Sequence, residues 1–365
     1  MKLSDRSWGV FVIGDLFSVK RPPARNKDNY EDGEVPFVAS GSVNNGVMKC
    51  CKPNEDEQLD NACCITVSPV DGSSFYQPYS FLGRGGAGSS VLMLYAENMN
   101  LYRGQFIARM IANTCTSKYT YGHMGNKDGI KRERIMLPIT DDGEPDYQFM
   151  EDYIRELMAT KRKQYQNYVE KRIAELGLDN SEIEDYEMLM DGHEWKSFRI
   201  VDMFDLVRGR EGNMASLEKG NIPLVSARNI DNGLKGFVDN PKKVIRGNCI
   251  TLNNDGDGGA GLAYYQPVDM ALDTHVTALA PKSEMSSYTM LFISECLSTL
   301  HGFFGHGHSI SNKRASNIRV MLPVTDDGEP DYEFMEEFGR RLMAKKYSQY
   351  LAFLKMSDTI ETVEN

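Results

Sequence analysis

Basic and amide side chains placed among glycines and aromatics are the groups in this sequence best able to engage a ligand. In the first half they are Lys20, Arg21, Arg25 and Lys27, then Arg84 within Gly83-Arg84-Gly85-Gly86-Ala87-Gly88, then Lys118, Tyr119, Tyr121, His123 and Lys127. In the second half they are Arg208, Arg210, Arg228, Asn229, His306, His308, Lys313 and Arg314. Such groups hydrogen-bond to base edges, while further basic residues fix register on phosphates, so this set is suited to reading a nucleic acid. Most scattered surface basic residues do nothing specific; those in stretches that differ between the two halves are the stronger candidates.

Other chemistries are poorly served. The glycines of 83–88 lack the Gly-Lys-Ser/Thr ending of a phosphate loop. Asn254-Asp255-Gly256-Asp257-Gly258 opens like a calcium loop, but no glutamate follows at the bidentate position, and a β-turn is the expected structure. His306-Gly307-His308, with His301 nearby, has no cysteine or histidine partner at metal spacing, so no metal site is expected. The seven cysteines include the pairs Cys50-Cys51 and Cys63-Cys64, which lack the C-x-x-C spacing and read as reduced thiols of a cytoplasmic protein. Neither a nucleophile elbow nor an Asn/Asp-Pro-Pro-Tyr/Phe methyltransferase loop is present, so the chain reads as non-catalytic, with no cofactor.

The elements that must carry these groups come in two copies. Trp8, Phe11, Ile13, Asp15, Phe17 and Arg21 return as Trp195, Phe198, Ile200, Asp202, Phe204 and Arg208. Pro36, Val38, Asn45 and Gly46 return as Pro223, Val225, Asn232 and Gly233. Arg134–Glu151 returns as Arg319–Glu336 with 15 of 18 positions identical, which chance does not produce. The stretches between, about 80–135 and 268–318, hardly match. One frame with two different variable parts implies one task performed on two targets.

At 365 residues the chain fits two or three domains, and its apolar runs are too short for a membrane helix. The net charge of −11 is unevenly spread. Residues 1–140 and 195–325 are each +2, whereas 141–194 and 326–365 are −10 and −5. The modules are therefore slightly basic and the acid lies outside them, which argues against a protein that coats DNA through charge alone.

Inside each module the patterns are strand and turn. Val35-Pro36-Phe37-Val38 and Ile222-Pro223-Leu224-Val225 are apolar runs whose proline predicts a strand start or an edge. Asn45-Gly46 and Asn232-Gly233 predict tight turns, and Ile65-Thr66-Val67 and Ile250-Thr251-Leu252 predict strands. Apolar spacing predicts a helix near 103–114 and another near 288–300. Trp8 and Trp195, in the matching part, are expected to be core anchors. After each module, Asp146 is a plausible N-cap for a long helix bearing Phe149, Met150, Tyr153, Ile154, Leu157 and Tyr165. Phe334, Met335, Phe338, Leu342 and Tyr350 repeat that stripe. About 30 residues at ~1.5 Å each make a rod of about 45 Å. Antiparallel packing of the two rods would turn direct repeats into a pseudo-two-fold pair, spaced to meet inverted surfaces one DNA turn apart, about 34–36 Å. The expected fold is thus α+β: a first β-rich module at 1–142, a helix at 143–177, a linker at 178–194, a second module at 195–327 and a helix at 328–358, with the helices as an antiparallel coiled coil.

With these motifs in order, the chain resembles the specificity subunits of type I restriction–modification systems and of the related two-subunit systems that cut on both sides of their site. The resemblance rests on the Trp8-to-Phe17 opening, the Pro36-to-Gly46 stretch, Phe75-Tyr76-Gln77-Pro78 and the Gly-Glu-Pro-Asp-Tyr junction into each helix. The second copy departs from it in having Ala227-Arg228 where the first has Ser40-Gly41. It implies that two target-recognition domains each read half of a bipartite DNA site, and that paired helices act as a ruler. It also implies that methyltransferase subunits, two in number, dock on the helices, with a restriction subunit as a further partner; Ile154, Leu157, Tyr165, Phe338, Leu342 and Tyr350 are the expected contacts. The residues leave two other readings open. One is a tandem β-module protein that binds a glycan or a protein and uses its helices to dimerise. The other is a fragment of a longer modification enzyme, against which the second helix and its polar tail, Ser357 to Asn365, argue.

Overall fold

The computed structural model describes residues 1–86, 88–178, 190, 192–213, 216–255, 259–304 and 308–363. Contacts divide the chain into two compact units, Met1–Tyr165 and Gln166–Asn365. Most of the expected linker and His306 lie outside the described residues.

The first unit opens with β1 (Trp8–Val12), which pairs antiparallel with the late strand β9 (Arg134–Pro138), Trp8 opposite Pro138. A single turn, α1 (Ile13–Leu16), leads into β2 (Ser18–Lys20). There follow β3 (Asp32–Val38), β4 (Val47–Cys51), β5 (Cys64–Val67), β6 (Ser74–Gln77), β7 (Leu82–Gly83) and β8 (Leu92–Tyr95). They form two sheets, ordered β2-β8-β5-β6 and β4-β3-β7. Two helices, α2 (Leu101–Cys115) and α3 (Lys127–Arg132), precede β9. The Asn100 side chain caps α2 at Arg103 N (3.0 Å), and the helix buries Phe106, Ile107, Ile111 and Cys115, the spacing of one helix face.

The second unit repeats this plan. Its strands are β10 (Trp195–Arg199), β11 (Phe204–Arg208), β12 (Lys219–Val225), β13 (Leu234–Val238), β14 (Val244–Ile245), β15 (Cys249–Asn253), β16 (Ala263–Gln266), β17 (Met270–Leu272), β18 (Val276–Pro281) and β19 (Arg319–Pro323). Its helices are α5 (Ile200–Met203), α6 (Ser287–Ser298) and the short α7 (Asn312–Ala315). The sheets run β11-β18-β15-β16 and β13-β12-β17-β14, and Trp195 faces Pro323 as Trp8 faces Pro138. The stretches that differ in sequence therefore build the same elements, α2 matching α6. The expected helices near 103–114 and 288–300 are these two.

Pro36 and Pro223 sit within their strands rather than at a strand start, and β3 and β12 are interior strands. The neighbouring parallel strand reaches only Phe37 and Val38 in one unit, and Leu224 and Val225 in the other. At the proline itself that side of the strand is unpaired, so the missing N–H breaks no bond there.

The shared motifs hold this frame together. Asn45 Nδ2 donates to Tyr76 O, while Gln77 Nε2 donates to Asn45 O and Thr66 Oγ1, at 2.9–3.0 Å. In the second unit Asn232, Tyr265, Gln266 and Thr251 repeat all three bonds at 3.0–3.1 Å. The Asn-Gly turn and the Tyr-Gln-Pro stretch are thus two halves of one lock, buried at its glutamine and threonine. Asn45 (φ 57°) and Asn232 (φ 54°) take the left-handed conformation that asparagine tolerates well. Trp8 stacks on Phe106 at 6.2 Å and Trp195 on Phe292 at 6.1 Å, so both tryptophans anchor the strand pair to the helix.

The repeated Thr-Asp-Asp-Gly-Glu-Pro-Asp-Tyr block is a turn and a cap. Gly143 and Gly328 adopt φ of 84° and 82°, and Asp146 and Asp331 accept the N–H of Phe149 and Phe334 at 2.9 Å. The long helices that follow are α4 (Tyr147–Leu176) and α8 (Tyr332–Val363). Residues 166–176 of α4 belong to the second unit, where Leu176 packs on Ala344 and Tyr168 on Tyr347. Arg340 donates to Leu176 O, so these turns run opposite to α8. Among the described residues no helix is long and apolar enough to cross a membrane.

Candidate nucleic-acid interface

In the first unit, segments distant in sequence meet at one rim. Ala24 bridges Gly85, so the 21–27 loop lies along the glycine loop. A Cβ on Gly85 would come within 2.1 Å of Pro23 O, which explains the glycine. Ser40 Oγ donates to Ser89 O (2.7 Å), tying in the loop after β3. Gly88 approaches Met124, and Gly125 N donates to Pro69 O, bringing in the variable segment after α2. Thr120 and His123 close a tight turn whose tip carries Tyr121, 82% exposed. Arg21, Lys27, Arg84, Tyr121, His123 and Lys127 thus lie on segments that converge.

Four first-unit candidates have other employment. Arg25 is 8% exposed and its guanidinium donates to Glu57 (2.7 Å), Asp60 (2.6 Å), Gln58 O (2.7 Å) and Gly83 O (3.3 Å). With four of its five N–H donors bonded internally and the side chain buried, it is an internal clamp, which corrects its place among the DNA contacts. Burial favours the protonated Glu57 carboxyl, but hydrogen bonds from Arg25, Tyr30 and the Asn54 N–H outweigh it and hold Glu57 below the usual range. Tyr119 is 5% exposed in the apolar core, which corrects its place as well: its ring shields Gly125 and burial pushes its phenol up. Lys118 pairs with Glu133, and the Lys20 ammonium lies 5.0 Å above the Tyr95 ring. The signal that Arg25 was internal lies in Glu57 and Asp60, but their proximity is not visible along the chain.

In the second unit the corresponding segments also meet. Glu211 bridges Asp273, and Arg208 Nε donates to Thr274 O (3.2 Å). Arg228 holds Leu234 O (2.6 Å), while its own carbonyl receives Asn253 Nδ2 and Tyr264 OH. Asn254 is buried and bonded to Thr277 rather than free to bind a cation; residues 256–258 lie outside the described set. Among the described residues no cluster of three metal-ligating side chains occurs. His308, Lys313 and Arg314 line a cavity of about 740 Å³ with Phe304 and Arg319. Arg210 and Asn229 are exposed. His275, paired with Asp255 at 2.7 Å, and Arg319 were not singled out from the sequence. Arg319 was hidden because it matches Arg134, and matching residues read as frame.

The six residues expected to meet partner subunits divide. Leu157 and Tyr165 are exposed on α4, whereas Ile154 packs on the first unit's core. Phe338 stands edge-on to Phe292 at 5.4 Å within the second core. Leu342 lines an apolar cavity beside Trp195 and Phe292, and Tyr350 is half-buried.

The family model described as the type I restriction modification DNA specificity domain matches residues 5–167 and again 192–349. A curated relative, the Type II restriction enzyme BgcI specificity subunit S.BcgI of Heyndrickxia coagulans, is 25% identical over 344 residues, covering 93% of this chain and 95% of that protein. Among solved structures, the type I restriction–modification S subunit from M. genitalium aligns over 100% of this chain and 96% of its own at 15% identity, TM-score 0.45. The HsdS subunit from Thermoanaerobacter tengcongensis aligns over 96% and 91% at 13% identity, TM-score 0.32. With two family domains covering most of its length, the chain belongs to the type I restriction–modification DNA specificity family and is a specificity subunit of a restriction–modification system.

Proposed function

We propose that each unit reads one half of a bipartite, asymmetric DNA site, and that α4 and α8 set the gap and dock methyltransferase subunits. The observation that carries this reading is the pair of rims: the same frame in both units places basic and aromatic groups of the unmatched segments beside shared ones such as Arg21 and Arg208, as two readers of different sequences require. Full-length antiparallel packing of α4 and α8 would relate the two direct repeats by a pseudo-two-fold. The polypeptide supplies recognition, and methyl transfer belongs to the partner, two copies of which would match two module–helix junctions. The domains in this reading are modules at 1–142 and 195–327, a linker at 178–194, and spacer helices at 143–177 and 328–358; α4 lies within the first spacer, and α8 starts within the second and runs five residues past it. The test is selection of duplexes from a random library by the complex of this chain with its methyltransferase. A two-part consensus with a fixed gap is expected; a single contiguous motif, or none, would overturn the reading.

A further inference from the structure

One backbone position is held identically in the two units but carries opposite charge. Arg84 N donates to Val38 O (2.8 Å) and Arg84 O accepts from Val91 N (3.2 Å). Asp273 N donates to Val225 O (2.9 Å) and Asp273 O accepts from Val276 N (3.0 Å). Val38 and Val225 are repeat equivalents, and the residue before each of these two pairs with them: Gly83 with Val38, Leu272 with Val225. Arg84 and Asp273 therefore occupy the same place on the rim, just beyond the parallel strand.

The surroundings of Arg84 are rigid. Asp60 Oδ2 receives both Arg25 Nη1 (2.6 Å) and Gly83 N (2.9 Å), so the buried clamp grips the residue before Arg84. Gly85, after it, is fixed on Ala24. The Arg84 side chain is half-buried, and among the described residues it has no hydrogen-bond partner. A partly sheltered guanidinium without an acceptor is poised for one from outside. Asp273 is partly satisfied from within: its Oδ1 accepts from His275 N (3.1 Å) and Thr274 Oγ1 (3.2 Å), which fixes the carboxylate, and among the described residues Oδ2 has no hydrogen-bond donor.

We propose that Arg84 and Asp273 are equivalent specificity-determining residues, Arg84 selecting a guanine in one half-site and Asp273 an amino-bearing base, cytosine or adenine, in the other. Arginine donates two bonds to the O6 and N7 acceptors of guanine; a carboxylate repels those acceptors and accepts from an exocyclic amine. This deepens the bipartite reading and rests on it. It also gives a physical reason for asymmetry, since opposite charges at one position cannot favour the same base.

The experiment is the same library selection with the full chain and its methyltransferase, applied to Arg84→Ala, Arg84→Lys, Asp273→Ala and Asp273→Arg. Arg84→Ala should flatten a guanine preference at one base pair by roughly tenfold or more and leave the other half-site unchanged. Arg84→Lys should keep overall affinity with weakened discrimination, because a point charge replaces a two-pronged donor. Asp273→Ala should flatten a cytosine or adenine preference in the opposite half, and Asp273→Arg should install guanine there. If the wild-type consensus has two halves but Arg84→Ala weakens binding to every sequence equally, Arg84 is a phosphate contact and the assignment is overturned. A wild-type selection without two halves overturns the functional reading and this inference together.

Discussion

The two units solve the same structural problem with opposite chemistry. In the first, the loop beyond β2 is secured by a buried cation, Arg25, ringed by two carboxylates and two carbonyls. In the second, the residue that bridges to the β17–β18 turn is Glu211, 1% exposed, whose Oε1 accepts the N–H groups of Lys242 (2.7 Å) and Lys243 (3.3 Å). The lock of Asn, Gln and Thr is meanwhile the same in both to within about 0.2 Å, comparing the two sets of bonds. The frame was kept after duplication, whereas the pieces that fix the rim were rebuilt. Such a division lets recognition change without refolding the module.

The comparison breaks most sharply at the clamps. Arg25→Met leaves Glu57 and Asp60, each mostly buried, without their cation, and should cost the first unit about 3–5 kcal/mol. Glu211→Leu removes the acceptor of two backbone N–H groups on exposed lysines and should cost the second unit about 1–3 kcal/mol in all. Denaturant unfolding followed by hydrogen exchange in each unit would show whether each loss stays in its own unit.

The lock should behave symmetrically. Gln77→Leu and Gln266→Leu each strand one carbonyl, while the threonine hydroxyl keeps its bond to Phe75 O or Tyr264 O, and should destabilise their units by similar amounts, about 1–3 kcal/mol. Unequal losses would show that the frames differ energetically despite matching geometry.

A third contrast lies where helices meet. Gly339 allows α6 to lie against α8, since a Cβ there would stand 2.9 Å from that of Tyr288, whereas the matching position in α4 is Ile154. Gly339→Ile should cost about 1–3 kcal/mol through overpacking, measured as a lower Tm, and Ile154→Leu less than about 1.5 kcal/mol.

Acid provides the smallest test. The Glu57 carboxyl is held below its ordinary value, so its contribution is complete above about pH 4.3 and is lost as pH falls through the folded value. Tyr30 runs the other way: burial, then the bond to Glu57, push its phenol up to about 12, so its contribution is complete below about pH 10 and fades as pH rises through 12. The first unit should therefore loosen at both extremes, and Arg25→Met should remove much of the acid dependence. An acid profile unchanged by Arg25→Met would contradict the clamp.

The duplication, the turn-and-cap junctions, the long helices and the anchoring tryptophans were legible because each is a local pattern or a repeat. The proline strands were misplaced because edge status depends on how far a neighbouring strand extends, which no local window contains. Arg25 and Tyr119 were misjudged for a related reason: a basic or aromatic residue in a loop looks the same whether its partners are solvent or distant carboxylates and core side chains. Asp273 is not legible in the sequence, because an acidic residue in an unmatched segment resembles any solvated carboxylate and its equivalence to Arg84 appears only in the backbone hydrogen bonds.

The central claim is that one frame presents two readers of different half-sites. The most direct measurement is library selection with a chimera in which residues 8–138 also replace 195–323, in complex with the methyltransferase. Two identical modules related by the proposed pseudo-two-fold should select an inverted repeat of the first half-site across a fixed gap. Selection of the original asymmetric site, or of two half-sites in direct orientation, would contradict the account.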